Sequence, residues 1–287
     1  MNYSIDKNDR LIGSTQISDL SFRDVAIDPL YCVIHYTGGS SLDSSIDHLR
    51  SVGYSYQILI DRDGTVVQGT PISKRARHAG YSNWQGKDFV NDFGIGISLA
   101  NFGYLDKHGD HFYNTNGHND KITPTFSKDE VVYSNHWNRH IGSKKKGWEL
   151  YTEAQYNALT QVIDALLKKF PNIVDAIGHE DIAIGRKPDP GPAFDWSKIH
   201  DLFTKRKDDL GPLKKVVVGP EDTLNVRSGP SGNWGVIDEL KDGASVHIRS
   251  FAYKYRNGTP HRTEWASVAH PGTKEHIGFV SSKYLFD

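Results

Sequence analysis

Cysteine, an excess of one charge and long apolar runs are all nearly absent from this sequence of 287 residues. Cys32 is the only cysteine, so no disulfide can form within the chain, which suits folding in a reducing compartment. The formal net charge of -1 argues against a nucleic-acid-binding protein, which normally carries a basic face. No stretch approaches the roughly 20 apolar residues that cross a bilayer, so we expect no membrane insertion.

The composition that is present predicts two folded domains. Hydrophobic residues make up 37% and charged residues 24% of the chain, which allows packed cores and argues against extensive disorder. Strand and helix patterns alternate through residues 1–205, which favours an α/β domain with a central mixed sheet flanked by helices. The charged stretch 206–215 is typical of a linker. Residues 216–287 show short strands separated by Gly and Pro without a helical period, which favours a small all-β barrel.

Clear secondary-structure patterns frame the first domain. Residues 30–36 are β-branched and aromatic and predict a buried strand before a turn-rich stretch. Thr152 and Gln155 have the spacing of a capping box, which predicts the start of a helix. Residues 173–178 predict a strand that ends at His179. By contrast, residues 104–148 are rich in His, Asn, Lys and Gly with weak periodicity, and they predict a long insertion or loop.

Two histidines and an aspartate stand where metal ligands could converge. His35 ends one predicted strand and His179 ends another, while Asp189 follows in a loop stiffened by prolines. Zinc hydrolases hold the ion with three protein ligands and leave the fourth position for water or substrate. Lys187 stands two residues before Asp189, where a cation could stabilise an oxyanion. Spacing alone leaves open that these residues are structural or simply solvated.

A family resemblance gives this constellation its meaning. The segment GHEDIAIGRKPDPGPAFDW (178–196) is very similar to the signature of the zinc-dependent N-acetylmuramoyl-L-alanine amidases. That family includes anhydro-muropeptide amidases, phage lysozymes and peptidoglycan recognition proteins. VIHYTGG, RDGTVVQ, HAGYSNWQG and NDFGIGISLAN follow in the family's order, and the matches cover about residues 25–200. The resemblance implies a Zn²⁺-dependent enzyme that hydrolyses the amide between N-acetylmuramic acid and L-alanine, with peptidoglycan or muropeptides as its partners.

The resemblance also implies roles for individual residues. Carried over position by position, it makes His35, His179 and Asp189 the zinc ligands. It makes Lys187 the residue that polarises the scissile carbonyl and stabilises its oxyanion. His78 matches a family histidine beside the site, and either a substrate contact or a structural hydrogen bond would explain it.

The groups expected around the attacking water depart from one branch of the family. In the anhydro-muropeptide branch, the strand that matches GIGISL carries a glutamate where this chain has Ser98, and a serine hydroxyl is a poor base. Active phage lysozymes and recognition proteins instead carry a tyrosine on the preceding strand, which matches Tyr56 here. We therefore expect Tyr56 to assist the water or the intermediate. Trp84 and Asn101 would line the substrate groove.

The second domain resembles a bacterial SH3-like domain through LNVRSGP (224–230) and GFVSSKYL (278–285). Such domains commonly tether cell-wall enzymes to peptidoglycan, and an endolysin or an antibacterial effector would fit both this domain and a chain without a secretory signal. The alternative is a non-catalytic peptidoglycan-recognition protein, which Ser98 favours and the intact His-His-Asp set opposes. The N-terminus shows no basic segment followed by an apolar run, which predicts no secretory signal. We expect a monomer that acts on the wall after signal-independent export or lysis, with a cytoplasmic enzyme as the alternative.

Overall fold

A computed structural model describes residues 3–114, 124–137, 141, 144–204, 206, 210–257, 259–272 and 275–287. In chain order, its first elements are β1 (Ser4–Ile5), β2 (Leu11–Ile12), β3 (Thr15–Gln16), β4 (Arg23–Ala26), β5 (Tyr31–Tyr36), α1 (Leu42–Val52), β6 (Ile58–Ile60), β7 (Val66–Gln68), β8 (Lys74–Arg75), β9 (Asn83–Trp84), β10 (Lys87–Asp88) and β11 (Gly94–Leu99). The later ones are β12 (Tyr104–His108), β13 (His111–Tyr113), β14 (Thr125–Phe126), β15 (Val131–Ser134), β16 (Lys146–Glu149), α2 (Glu153–Lys169), β17 (Asp175–Gly178), α3 (His179–Ile182), α4 (Ser197–His200), β18 (Leu213–Val216), β19 (Thr223–Arg227), β20 (Val236–Lys241), β21 (Ser245–Arg256), β22 (Thr259–Ala269), β23 (His276–Ser281) and β24 (Leu285–Phe286).

A six-stranded mixed sheet organises the first part of the chain, as the alternating pattern predicts. Its strand order is β17-β5-β11-β6-β7-β3. The four strands β17, β5, β11 and β6 run parallel, and β7 pairs antiparallel to β6. Parallel strands need helices on the faces of the sheet, because their crossover connections must pass there.

Helix α2 begins at the predicted N-cap Thr152, whose hydroxyl accepts a hydrogen bond from the Gln155 amide at 3.1 Å.

Alternation along β5 decides which side chains face which core. Cys32 and Ile34 pack in the large apolar cluster that includes the buried face of α2. Tyr31 and Val33 point to the opposite face. Since side chains alternate along a strand, His35 follows Tyr31 and Val33 onto that opposite face. Among the described residues, no helix is long and apolar enough to span a membrane.

The segment 104–148 is not the loop that its weak periodicity predicts. Its described residues contribute β12 to β16, which form a five-stranded antiparallel sheet in the order β14-β13-β12-β16-β15. A small core holds this sheet together and contains the buried side chains Phe102, Leu105, Phe112, Phe126 and Val131. The apolar residues are few and widely spaced, so they bury a face only after distant strands have paired. The remaining positions of the segment lie outside the described residues.

A seven-stranded antiparallel sheet occupies the C-terminal part, in the order β20-β19-β23-β22-β21-β18-β24. The expectation of short strands is wrong for β21 and β22, which contain 12 and 11 residues and form one long hairpin. The predicted linker also ends earlier than expected, because Leu213–Val216 already forms strand β18.

The C-terminal sheet packs directly against the first domain through the segment 79–89. The Gln85 amide donates a hydrogen bond of 2.6 Å to the Arg249 carbonyl, and the Ser250 hydroxyl donates one of 2.8 Å to the Asn83 carbonyl. The rings of Tyr81 and Tyr253 lie 4.8 Å apart in an edge-to-face arrangement. These polar and aromatic contacts fix one sheet against the other.

Candidate metal centre and active site

Two adjacent parallel strands bring the histidines together. Gly178 pairs with Ile34 in the β17–β5 ladder, so the next residues, His179 and His35, face each other at the carboxyl edge of the sheet. Side chains at this edge of a parallel sheet converge on a common space. His35 is fully buried and His179 is 2% exposed.

The loop after α3 brings the third group. Asp189 is 5% exposed, and its carbonyl accepts a hydrogen bond of 2.7 Å from the Glu180 amide. The Tyr151 hydroxyl donates to the Pro190 carbonyl at 2.9 Å, which fixes the next residue of the loop. Gly191 has a φ of +77°, and a Cβ there would lie only 2.6 Å from the Trp148 ring. The loop conformation therefore requires glycine at this position.

Three donor atoms form a compact triangle. His35 Nδ1 lies 3.0 Å from His179 Nδ1 and 3.0 Å from Asp189 Oδ2, and His179 Nδ1 lies 2.8 Å from the same carboxylate oxygen. Within the described part of the chain, these three side chains form a group whose possible ligand atoms all lie within 4.8 Å of one another, close enough to hold a metal ion. Two imidazoles and a carboxylate form a donor set that suits zinc.

The outer hydrogen bonds of both rings leave lone pairs facing this triangle. His78 Nε2 can only donate to the Gly94 carbonyl, 3.3 Å away, so His78 Nδ1 is the acceptor for His35 Nε2–H at 3.0 Å. His35 Nδ1 then carries no proton. His179 Nε2 likewise donates to the Ala79 carbonyl at 3.2 Å, which leaves its Nδ1 free. Such outer partners fix the tautomer of metal-binding histidines. Three electron-pair donors without a proton to share fit a cation.

The protonation states agree with this arrangement. Burial, with the neighbouring His179, lowers the pKa of His35 to about 3, and burial lowers the pKa of His179 to about 4. Both rings are therefore neutral near pH 7. Burial tends to raise the pKa of Asp189, but the interaction with His179 and the hydrogen bonds to both histidines hold it well below its usual range. A neutral-imidazole and carboxylate set is the form that binds metal.

Lys187 and Tyr56 lie beside the triangle, on a ridge between two lobes of one groove. The lobes have volumes of about 320 and 330 Å³, and both residues line both of them. The positive charge of Lys187 is close enough to lower the pKa of both His35 and His179. The Tyr56 ring meets the His35 ring edge to face at 4.9 Å. Burial raises the pKa of Tyr56, with a further rise from the Asp189 charge, so the phenol keeps its proton.

Ser98 lies next to this group but is enclosed. It pairs with His35 in the β11–β5 ladder and points to the same face of the sheet. Its side chain is fully buried, and its hydroxyl interacts with the Tyr56 phenol, which opposes the rise in the pKa of Tyr56 that burial causes. A buried hydroxyl without an activating neighbour cannot replace a carboxylate base.

The other predicted site residues have different positions. The His78 ring is hydrogen-bonded at both nitrogens, and its side chain also lines one lobe of the groove, so both roles that the sequence leaves open are compatible with its position. Asn101 is 1% exposed, and its amide donates to the Glu149 carbonyl while its carbonyl accepts from the Gly103 amide. Asn101 therefore holds a loop and does not line the groove.

Trp84 also does not line the groove. It is 3% exposed and packs beside Tyr31 and Val90 under the C-terminal sheet. The Arg249 guanidinium lies 4.9 Å from the centre of its ring, a cation–π contact across the junction of the two sheets. The sequence could not show this, because the partner that covers Trp84 lies far away along the chain.

Sequence reasoning missed Arg186. Its guanidinium donates hydrogen bonds of 2.6 and 2.7 Å to the Ala79 and Tyr81 carbonyls. Because Ala79 also accepts the proton of His179 Nε2, Arg186 fixes the carbonyl that orients a ring of the triangle. The only sequence signal was its place beside Lys187 within the family-like segment.

Comparisons with known proteins point to one family. The family model of N-acetylmuramoyl-L-alanine amidase matches residues 26–192. The chain is 38% identical over 161 residues to the 1,6-anhydro-N-acetylmuramyl-L-alanine amidase AmpD of Enterobacter cloacae. The matched stretch covers 56% of this chain and 63% of that protein. It is 36% identical over 163 residues to AmpD of Escherichia coli K12, with the same two coverages of 56% and 63%. The match thus spans less than two thirds of the length of these curated relatives.

A solved structure is also similar. The complex of the Escherichia coli N-acetylmuramyl-L-alanine amidase AmiD with anhydro-N-acetylmuramic acid-L-Ala-D-gamma-Glu-L-Lys shares 23% identity, with a TM-score of 0.46 over 75% of each chain.

Proposed function

Because the chain belongs to the N-acetylmuramoyl-L-alanine amidase family, we propose that it hydrolyses the amide between N-acetylmuramic acid and L-alanine in peptidoglycan or muropeptides. One observation carries this proposal. In the segment that matches the family, the Nδ1 atoms of His35 and His179 and the Oδ2 atom of Asp189 lie within 3.0 Å of one another, with their lone pairs converging. An open groove passes beside this triangle: Asp189 lines one of its lobes, and Tyr56 and Lys187 line both.

The proposed cofactor is Zn²⁺, held by His35 Nδ1, His179 Nδ1 and an oxygen of Asp189. When bound, zinc supplies Lewis-acid activation of water and of the scissile carbonyl. Lys187 lines the groove beside the triangle, so its ammonium stabilises the negative charge that develops on the carbonyl oxygen. This role needs only a fixed cation in a partly dry site.

Tyr56 acts as a hydrogen-bond donor in this proposal. Its raised pKa keeps the phenol protonated at neutral pH, so it cannot take a proton from water as a base. The phenol instead donates its hydrogen bond to the attacking oxygen or to the developing oxyanion. The buried Ser98 hydroxyl does not serve as the base in this proposal, because a serine hydroxyl is a poor base at neutral pH.

The C-terminal sheet is proposed to be an SH3-like module that holds the enzyme on the cell wall. Its support is the all-antiparallel sheet of strands β18 to β24 and the motif resemblance of residues 216–287. A module bound to the polymer raises the local substrate concentration without adding chemistry.

Product analysis tests the proposed function. The full chain, loaded with zinc, is incubated with purified sacculi and with a soluble anhydro-muropeptide, and mass spectrometry identifies the products. We expect free peptides that begin with L-alanine, and no such release after His35→Ala or chelation. His261→Ala, on the surface of the C-terminal sheet, serves as the matched control and should retain activity. Binding of muropeptide without any peptide release would instead identify a recognition protein.

A further inference from the structure

Both histidines of the proposed zinc site take their outer hydrogen bonds from one stretch of chain. The His78 ring accepts the proton of His35 Nε2 at 3.0 Å, and the carbonyl of the next residue, Ala79, accepts that of His179 Nε2 at 3.2 Å. Such outer partners set the orientation and the metal affinity of the histidines that they hold. The positions of residues 78 and 79 therefore decide how well the two rings converge on the metal.

The segment 79–89, which continues from these residues, has a strained tip. Its strands β9 and β10 pair as a small hairpin, and Gln85 lies in the turn between them. Gln85 has a φ of +49°, in the left-handed region that residues with a side chain rarely adopt. The Tyr31 hydroxyl holds its side-chain oxygen at 2.8 Å. A strained backbone of this kind persists only where the surrounding contacts fix it.

Strand β21 of the C-terminal sheet supplies the contacts that fix the backbone of this tip. The Gln85 amide donates to the Arg249 carbonyl at 2.6 Å, and the Ser250 hydroxyl donates to the Asn83 carbonyl at 2.8 Å. The Arg249 guanidinium also covers the Trp84 ring at 4.9 Å. The family match ends at residue 192, so β21 lies outside the part of the chain that this match covers.

Hydrogen bonds within the hairpin connect its tip to its base. The Asn83 side-chain amide donates to the Asp88 carboxylate on the opposite strand at 2.9 Å. At the base, Asn91 Oδ1 accepts hydrogen bonds from the backbone amides of His78 and Ala79, at 3.2 and 2.8 Å. Because the hairpin is joined at its tip, its middle and its base, a displacement of the tip also displaces residues 78 and 79.

We propose that strand β21 positions the metal centre, and that Arg249 and Ser250 are the positioning residues. By fixing the tip of the segment 79–89, they hold the outer partners of both histidines in place. This inference rests on the proposed function, because it concerns the same zinc site. It gives the C-terminal sheet a role that does not depend on the cell wall.

A positioning role and a tethering role have different consequences. A module that only holds the enzyme on a polymer raises the local substrate concentration and changes nothing for a soluble substrate. A sheet that positions the metal centre instead changes the zinc affinity, and it changes kcat on a soluble muropeptide.

The zinc affinity of full-length variants tests the proposal. Ser250→Ala removes the hydroxyl that donates to Asn83, and Arg249→Met removes the cation over Trp84. For each variant, competition with a chromophoric chelator should show a zinc Kd raised about tenfold, the lower end of the loss that follows removal of an outer partner itself. On a soluble anhydro-muropeptide, kcat should fall by a similar factor while KM stays nearly unchanged.

Two matched controls make the same changes elsewhere in the sheet. Ser267, the register partner of Ser250 on β22, is also buried, and Lys254 is an exposed cation further along β21. Among the described residues, neither forms a hydrogen bond or an ion pair with the segment 79–89, so Ser267→Ala and Lys254→Met should keep the wild-type zinc Kd. Arg249→Lys retains the cation over Trp84 and should recover most of the affinity that Arg249→Met loses.

The possible outcomes separate positioning from a loss of fold and from tethering. Circular dichroism shows whether each variant is folded before zinc is added, and Ser250→Ala, the smaller change, decides the question if Arg249→Met does not fold. A wild-type zinc Kd in the folded variants would overturn the proposal. An equal rise in the controls, or a loss of activity confined to intact sacculi, would also overturn it. If the zinc-loaded wild type cleaves no muropeptide, the amidase proposal fails, and the zinc affinities still decide the role of β21.

Discussion

At the scale of single residues, the hydrogen bond from His35 to His78 determines which nitrogen faces the metal. The path from the Gly94 carbonyl through His78 to His35 consists of contacts of 3.3 and 3.0 Å. Without His78, the His35 ring can move its proton to Nδ1, which would remove one donor from the triangle. His78 therefore acts through another residue and needs no contact with substrate.

Replacement of His78 should weaken zinc binding first. Loss of an outer partner of a metal-binding histidine typically costs about 10- to 100-fold in metal affinity, and we expect that loss for His78→Leu. Competition with a chromophoric chelator measures the zinc dissociation constant. His78→Gln keeps an acceptor and should recover part of the affinity. An unchanged dissociation constant in His78→Leu would show that the hydrogen bond does not orient His35.

Tyr56→Phe should separate chemistry from metal binding. The phenol lies 4.9 Å, ring to ring, from His35 and stays protonated because burial raises its pKa. Removal of one hydrogen-bond donor to a developing oxyanion lowers kcat by about 100-fold in well-studied enzymes. We expect a loss of that order with zinc content unchanged, measured by muropeptide cleavage and metal analysis. Full activity in Tyr56→Phe would remove the phenol from the mechanism.

At the scale of elements, local signals were sufficient where a segment carries its own boundary. The capping box Thr152–Gln155 predicted the start of α2, and the apolar run 30–36 predicted β5. The sequence also predicts that His179 directly follows the strand of residues 173–178, and β17 does end at Gly178. These features depend on neighbours within a few residues, so the sequence alone contains them.

Elements that form only through distant pairing could not be predicted. Strands β12 to β16 have few apolar residues, and Gly147 fits there because a Cβ would lie 2.4 Å from the Phe112 ring. The convergence of His35, His179 and Asp189 came from the family resemblance, not from periodicity. The proximity of Arg23 and Arg75 could not be predicted either, because the two residues become neighbours only when β4 pairs with β8.

The start of helix α2 gives a stability prediction at this scale. The Thr152 hydroxyl caps the Gln155 amide at 3.1 Å and donates to the Arg62 carbonyl at 2.6 Å, which ties the helix to the β6–β7 turn. Loss of an N-cap hydroxyl costs about 1–2 kcal/mol, so Thr152→Ala should lower the free energy of unfolding by that amount. Urea denaturation measures it. Thr160→Ala, the same change within α2, is the control, and an equal loss in both would contradict a capping effect.

At the scale of the whole molecule, one segment joins the metal centre to the C-terminal sheet. In this segment, residues 79–89, the Ala79 carbonyl accepts the hydrogen bond of His179 Nε2. A few residues later, Trp84 lies under Arg249 of β21. The proposed wall-binding sheet is therefore held in a fixed orientation to the groove, and its attachment differs from that of a module on a flexible tether.

The buried histidines make the stability of the metal-free molecule depend on pH. The pKa of His35 is about 3 and that of His179 about 4 in the folded chain, against about 6.5 in an unfolded one. Between these values the unfolded chain binds protons that the folded chain cannot accept. Stability is therefore complete above about pH 6.5 and falls as the pH drops toward 4, by about 1.4 kcal/mol per pH unit for each histidine.

Urea unfolding in the presence of chelator, at pH values from 7 to 4.5, measures this slope. We expect the double variant His35→Asn/His179→Asn to reduce it by about 2.7 kcal/mol per pH unit, because two proton-binding differences disappear. The matched control His108→Asn/His261→Asn changes two exposed histidines and should keep the slope. An unchanged slope in the first variant would mean that the folded chain already holds those protons. The triangle would then take up protons below about pH 6.5, and metal binding in that range would have to displace them.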